Sequence, residues 1–264
     1  MKDKYLKLKK WFDSYTEDFV MKNEKDQKNI RLKIDHSKRV TKDIEEIIED
    51  FEMNEDEKYL ARIIALYHDI GRFKQYKEYQ TFSDYKSEDH GSLGVQVIKE
   101  NKLLDDLKPD EKKIVYKAIE QHNKAEIEAD YFDNDREILF AKLIRDADKL
   151  DIFNIFVERY QKGGQEDFII KLSTEAKITD EVYTKVLKKE AINYDKLETI
   201  NDLKMMQLTW IYDINFAETI EIIKKRGYIE TIYNSMAENK KAEPVYQEVK
   251  NYIEGDYCYQ SKRL

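Results

Sequence analysis

The 264-residue chain contains four histidines, His36, His68, His90 and His122, each in or beside a segment of helical periodicity. All four precede one acidic stretch, Arg145-Asp146-Ala147-Asp148-Lys149-Leu150-Asp151. Imidazole and carboxylate together are a ligand set for divalent zinc, iron, manganese or nickel. Singly, each residue says little, because a lone histidine on a helix is more often a surface or satisfied core residue. The adjacent pair His68-Asp69 does not share a face within a helix, but at a helix end its side chains can splay around one ion. Asp146 and Asp148 stand two apart and point to nearly opposite sides of a helix, so a choice between them is needed. The single cysteine, Cys258, leaves neither an intramolecular disulfide nor a Cys-rich zinc site.

The elements that must position these residues are read as helices from end to end. Tyr5, Leu8, Trp11, Phe12, Tyr15 and Phe19 mark a first amphipathic helix, and Ile30, Ile34, Val40, Ile44, Ile47, Ile48 and Phe51 a second over about 27–53. Asn54 with Glu57 forms a capping box that opens a third helix, which reaches His68-Asp69. Gly71 is expected as its stop, at a positive-φ position, and Arg72 to Asp89 as a loop sprinkled with aromatics. Further helices are expected near His90, from Pro109 to His122, over about 135–162, and in segments beyond. Gly163-Gly164 ends the long helix and is one place where a catalytic region and a helical extension could divide. One continuous domain over 1–264 is the organisation expected, with a catalytic core at about 25–160 and an extension at about 161–264.

Bulk composition narrows the classes. Seven glycines and two prolines argue against a turn-rich β protein, and 19 tyrosines with 11 phenylalanines argue against disorder. A net charge of −8, from 47 basic and 55 acidic residues, makes a nucleic-acid partner a poor expectation. No apolar run approaches the ~20 residues that span a bilayer, and the N-terminus lacks the apolar stretch of a signal peptide, so the default compartment is the cytoplasm. P-loop and dinucleotide-binding glycine motifs are absent.

The order changes what the separate residues mean. His36, His68-Asp69, His90, His122 and Ala147-Asp148-Lys149-Leu150 in succession resemble the H…HD…H…H…D pattern of the HD-domain phosphohydrolase superfamily, with His68-Asp69-Ile70-Gly71-Arg72 as its central signature. The resemblance covers roughly residues 30–155 and uses every histidine. It implies an all-α, HD-domain-like helical bundle with additional C-terminal helices. It also implies that His36, His68, Asp69 and Asp148 bind one metal, with Asp69 bridging to a second held by His90 and His122. The Ala-Asp-Lys-Leu context selects Asp148 and leaves Asp146 in support. The cofactor implied is a pair of divalent transition-metal ions: iron, manganese, nickel or zinc. In a one-metal enzyme, His90 and His122 would instead serve proton transfer or phosphate contact.

Two cations a few ångströms apart lower the pKa of a shared water and clamp phosphoryl oxygens, which is the chemistry of phosphoester hydrolysis. Asp69, Arg72 and Lys149 are the expected catalytic residues. Arg72 offers a bidentate grip on phosphate, its alternative being a solvated loop cation; Lys149 reaches substrate or pairs with a nearby acid. The aromatic segment from Phe73 to Tyr85 either stacks a nucleobase or packs over the site. The expected partner is a nucleotide or other small phosphorylated metabolite, with homo-oligomerisation left open. Cyclic di-GMP is disfavoured, because no Gly-Tyr-Pro triplet follows the signature and His122 precedes Asn123 rather than histidine. Two other readings stand beside this one: a di-iron oxygenase on the same scaffold, and a catalytically silent nucleotide- or partner-binding module.

Overall fold

Charge-rich amphipathic sequence with so little glycine and proline has one economical way to satisfy its backbone, the helix, and the described residues take it repeatedly. A computed structural model describes residues 1–162, 172–236 and 239–255; Gly163-Gly164 and Cys258 lie outside them. Twelve α-helices follow in order among the described residues: α1 (Lys2–Glu17), α2 (Glu24–Ile47), α3 (Glu55–Tyr67), α4 (Gly71–Tyr79), α5 (His90–Glu100), α6 (Pro109–Gln121), α7 (Asp135–Gln161), α8 (Asp180–Leu187), α9 (Ile200–Thr209), α10 (Ala217–Lys225), α11 (Tyr228–Asn234) and α12 (Ala242–Glu254). The only β pairing among them is an isolated Ser173–Thr199 bridge, so the all-α expectation holds. No described helix is long and apolar enough to cross a membrane.

The chain divides into two compact units, Met1–Asp151 and Ile152–Leu264. In the first, α3 packs on α1, α2 and α6, while α4 and α5 pack on each other and reach α2 and α6 respectively. Local signals start these helices where the core needs them. Asn23 accepts the Asp26 amide, Asn54 and Glu57 close a capping box, Asp89 accepts the Ser92 amide, and Pro109 opens α6. The apolar faces close over Phe12, Tyr67 and Phe73, all nearly or wholly buried, with the Tyr67 hydroxyl donating to the Leu8 carbonyl at 2.9 Å. In the second unit α9 is central, packing on α8, α11 and α12. The buried Asp202 carboxylate ties its start to α8 by accepting from the Thr179 amide and hydroxyl.

Two expectations are corrected. Residues 71–79 form a helix, not the start of a loop; irregular chain with one short 3₁₀ turn occupies only the remainder before α5. Helicity there escapes a hydropathy reading because Gln75, fully buried, occupies the inner face beside Phe73 and Tyr76. Its amide donates to Asp84 Oδ1, Ser87 Oγ and the Glu88 carbonyl, so the connection replaces apolar cover with hydrogen bonds.

Nor is Gly71 a positive-φ stop; among the described glycines only Gly227 takes that conformation. Gly71 begins α4 against the start of α5, and a Cβ there would stand 2.2 Å from the His90 carbonyl oxygen and 2.5 Å from the Gly94 nitrogen. The constraint is steric and the obstacles are backbone. Gly71→Ala is therefore expected to cost more than the ~1–3 kcal/mol typical of an added group in a packed interior. Urea unfolding measures this directly, and an unchanged midpoint would show that α4 and α5 do not approach this closely.

Candidate metal centre

The first unit brings His36, His68, Asp69, His90, His122 and Asp148 together from five places in its fold. His36 lies midway along α2, His68 caps the C-terminus of α3 with Asp69 next in the turn to α4, His90 opens α5, His122 caps α6, and Asp148 lies on α7. The four imidazoles and Asp69 are each at most 5 % exposed. Overlapping groups of them, His36-His68-Asp69, His68-His122-Asp148 and Asp69-His90-His122, hold their donor atoms close enough to share an ion.

What orients the rings is local. The last carbonyls of a helix have no intrahelical donor. At both C-caps a histidine supplies one: His68 Nδ1 lies 2.7 Å from the Ala65 carbonyl and His122 Nδ1 2.6 Å from that of Ile119. The other two rings use carboxylates, His36 Nδ1 at 2.6 Å from Asp151 Oδ2 and His90 Nδ1 at 2.7 Å from Asp84 Oδ2. Every Nδ1 thus faces an acceptor and carries the hydrogen, which turns an Nε2 lone pair toward the centre.

The centre therefore gathers acceptors. His36 Nε2 and His68 Nε2 are 3.2 Å apart, and His90 Nε2 and His122 Nε2 are 3.0 Å apart. Asp148 Oδ1 is 3.0 Å from His36 Nε2 and 3.8 Å from His68 Nε2. Asp69 divides its carboxylate between the two pairs. Oδ2 lies 3.5 and 3.8 Å from the Nε2 atoms of His36 and His68, and Oδ1 lies 3.3 and 3.8 Å from those of His90 and His122. Donors each about 2.1 Å from one ion stand about 3.0 Å apart at a right angle and about 3.4 Å apart at the tetrahedral angle. The spacing of these atoms, their orientation and their chemistry all fit a divalent transition-metal ion.

Electrostatics agree. Burial opposes ionisation of Asp69, yet Lys33 foremost, then His68, His122 and His90, hold its carboxyl well below the usual range. Burial alone would depress His36, but hydrogen bonds to Asp148 and Asp151 raise it to about 9. Burial lowers His68 to about 3 despite the two carboxylates nearby. With no cation bound, one proton on His36 then supplies part of the positive charge.

Of the residues expected to serve catalysis, Asp69 lies at the middle of the cluster. Arg72 lies beside it, Nε 3.4 Å from Asp69 Oδ1, but its Nη1 is held by Gln75 Oε1, the Phe82 carbonyl and Asp84 Oδ1 at 2.5–2.9 Å. Those bonds fasten the α4–α5 connection and hold Asp84 against His90. Lys149 is half-buried next to Asp148. Asp146 is buried and belongs to none of the three groups that could share an ion.

Four contributors were not read from sequence. Asp151 sits three residues after Asp148, the same face of α7, and Arg39 grips it at 2.5 and 2.9 Å, so helical phase could have found it. Asp84 and Asn123 carried no such signal. The Asn123 amide donates to Asp84 Oδ2 and Asp89 Oδ2 beside His90. Lys33, whose Nζ lies 2.7 Å from Asp69 Oδ2, is one basic residue among many.

Comparison with known proteins gives one match: the HD domain family model covers residues 34–152. No curated protein and no solved structure matches the chain.

His36 supplies a pH test. A metal entering the centre must displace the proton it holds below about pH 9. From His36 alone, Mn²⁺ affinity should rise about tenfold per pH unit between pH 6 and 8 and level off above about 9. Calorimetric titration in buffers of different ionisation enthalpy reads the released proton, and an affinity independent of pH over this range would contradict the assignment.

Proposed function

Starting from the HD domain carried by residues 34–152, a family in general of metal-dependent hydrolases, we propose that the chain is a phosphohydrolase acting on a nucleotide or other small phosphorylated metabolite. The observation that carries the reading is the division of Asp69, one carboxylate oxygen toward His36 and His68 and the other toward His90 and His122. In this proposal two ions share Asp69, with His36, His68 and Asp148 completing one set of ligands and His90 and His122 the other. When bound, such ions make hydroxide available near neutral pH and offset charge on phosphoryl oxygens during in-line displacement.

The protein's own contribution is placement. The Nδ1 acceptors keep four rings from rotating, so donor geometry is fixed before ligand arrives. Burial of the imidazoles lowers the effective dielectric around the centre and strengthens each charge in it. Asp148, whose side chain is 21 % exposed, stands where solvent reaches the site and where a substrate phosphate would enter. Arg72 and Lys149 complete the proposed machinery, Arg72 holding the α4–α5 connection and Asp84 in place at the edge of the site, Lys149 next to Asp148 on α7.

The test pairs metal analysis of the native protein with turnover of p-nitrophenyl phosphate and bis-p-nitrophenyl phosphate in Fe²⁺, Mn²⁺, Ni²⁺ and Zn²⁺. Phosphoester cleavage is expected with at least one ion. Asp69→Ala should lose both metal and turnover, and His122→Ala should lose one ion of two. Normal turnover in Asp69→Ala would sink the proposal, and unchanged stoichiometry in His122→Ala would reduce the centre to one ion. Oxygen consumption without phosphate release would point instead to a di-iron oxygenase, and failure to take up any metal to a binding module.

A further inference from the structure

Lys33 occupies an unusual position for a lysine. It lies on α2 one turn before His36, so both side chains project from the same face of the helix. Its ammonium donates to Asp69 Oδ2 at 2.7 Å and sits 5.6 Å from the centre of the Phe82 ring. The oxygen it holds is the one turned toward His36 and His68. An ion bound at about 2.1 Å to that oxygen would lie within about 4.8 Å of the ammonium, so the two cations would repel across one carboxylate oxygen.

Exposure separates the two partners. The Lys33 side chain is 17 % exposed while that of Asp69 is 3 %, so Lys33 reaches solvent where the carboxylate it holds does not. Its four-carbon stem is flexible and its three donors rotate, whereas Arg72 has Nη1 committed to three acceptors. Of these two cations, Lys33 is the better able to turn toward an incoming anion.

We propose that Lys33 is a substrate-binding residue: it releases Asp69 Oδ2 when metal binds there and grips the phosphoryl oxygens of the substrate. This rests on the phosphohydrolase reading. A lysine that merely braced Asp69 would make the opposite prediction for metal, since removing a brace weakens binding and removing a competing cation strengthens it.

The experiment titrates Mn²⁺ into wild type, Lys33→Met and Lys33→Arg, then inorganic phosphate into each Mn²⁺-loaded protein, by calorimetry. Lys33→Met is expected to bind Mn²⁺ about tenfold more tightly and phosphate at least about tenfold more weakly; Lys33→Arg should keep phosphate affinity within about threefold. Weakened Mn²⁺ binding in Lys33→Met, or phosphate affinity equal to wild type, overturns the proposal while leaving the hydrolase reading standing. A Mn²⁺-loaded wild type that binds no phosphate and cleaves no phosphoester removes both. Circular dichroism establishes folding, and Lys33→Gln replaces Lys33→Met if the apolar side chain is not accommodated.

Discussion

Four imidazole lone pairs and two carboxylates face one another at a largely buried centre, and that arrangement is tolerable only if positive charge fills it. Without a cation, each pair of Nε2 atoms at 3.0–3.2 Å is a contact between acceptors. The structure answers locally with Lys33 on Asp69 and a raised pKa on His36. The wider architecture follows from keeping that concentration of acceptors assembled. Two of the rings are fastened by unspent carbonyls at helix ends, so the breaks after α3 and α6 position imidazoles as well as turning the chain. The other two depend on Asp151 and Asp84, which are themselves held by Arg39 and Arg72.

Close helix approach serves the same end. His68-Asp69 can share a centre with His90 only if the turn after α3 lies directly on the start of α5, and Gly71 removes the side chain that would prevent it. Gln75 then fixes the intervening connection from below, and its hydrogen bonds to Asp84 link the helix that follows Asp69 to the carboxylate that aims His90. Packing and site chemistry are coupled through these few residues.

Much of this was legible in the sequence because it rests on period and order. Apolar spacing marks the helices of the first unit, and Asn54-Glu57 and Pro109 mark where two of them begin. With only four histidines, the use of all of them in one ordered pattern carried the candidate ligand set. What escaped has physical reasons. A glycine required for close approach, as Gly71 is, looks the same in sequence as one required for positive φ. Helix α4 buries a glutamine where periodicity looks for an aliphatic residue. Asp84 sits on irregular chain, where spacing predicts no direction, and Lys33 resembles any solvated helix cation until Asp69 is brought against it. Asp151 was available from helical phase, three residues beyond Asp148.

The central claim is that Asp69 is shared between two ions, one on each oxygen. Crystals grown with Mn²⁺ and measured at its absorption edge test it most directly. Two anomalous peaks flanking the Asp69 carboxylate are expected, one among His36, His68 and Asp148 and one beside His90 and His122. A single peak bound through one carboxylate oxygen, or density remote from Asp69, would contradict the bridging role.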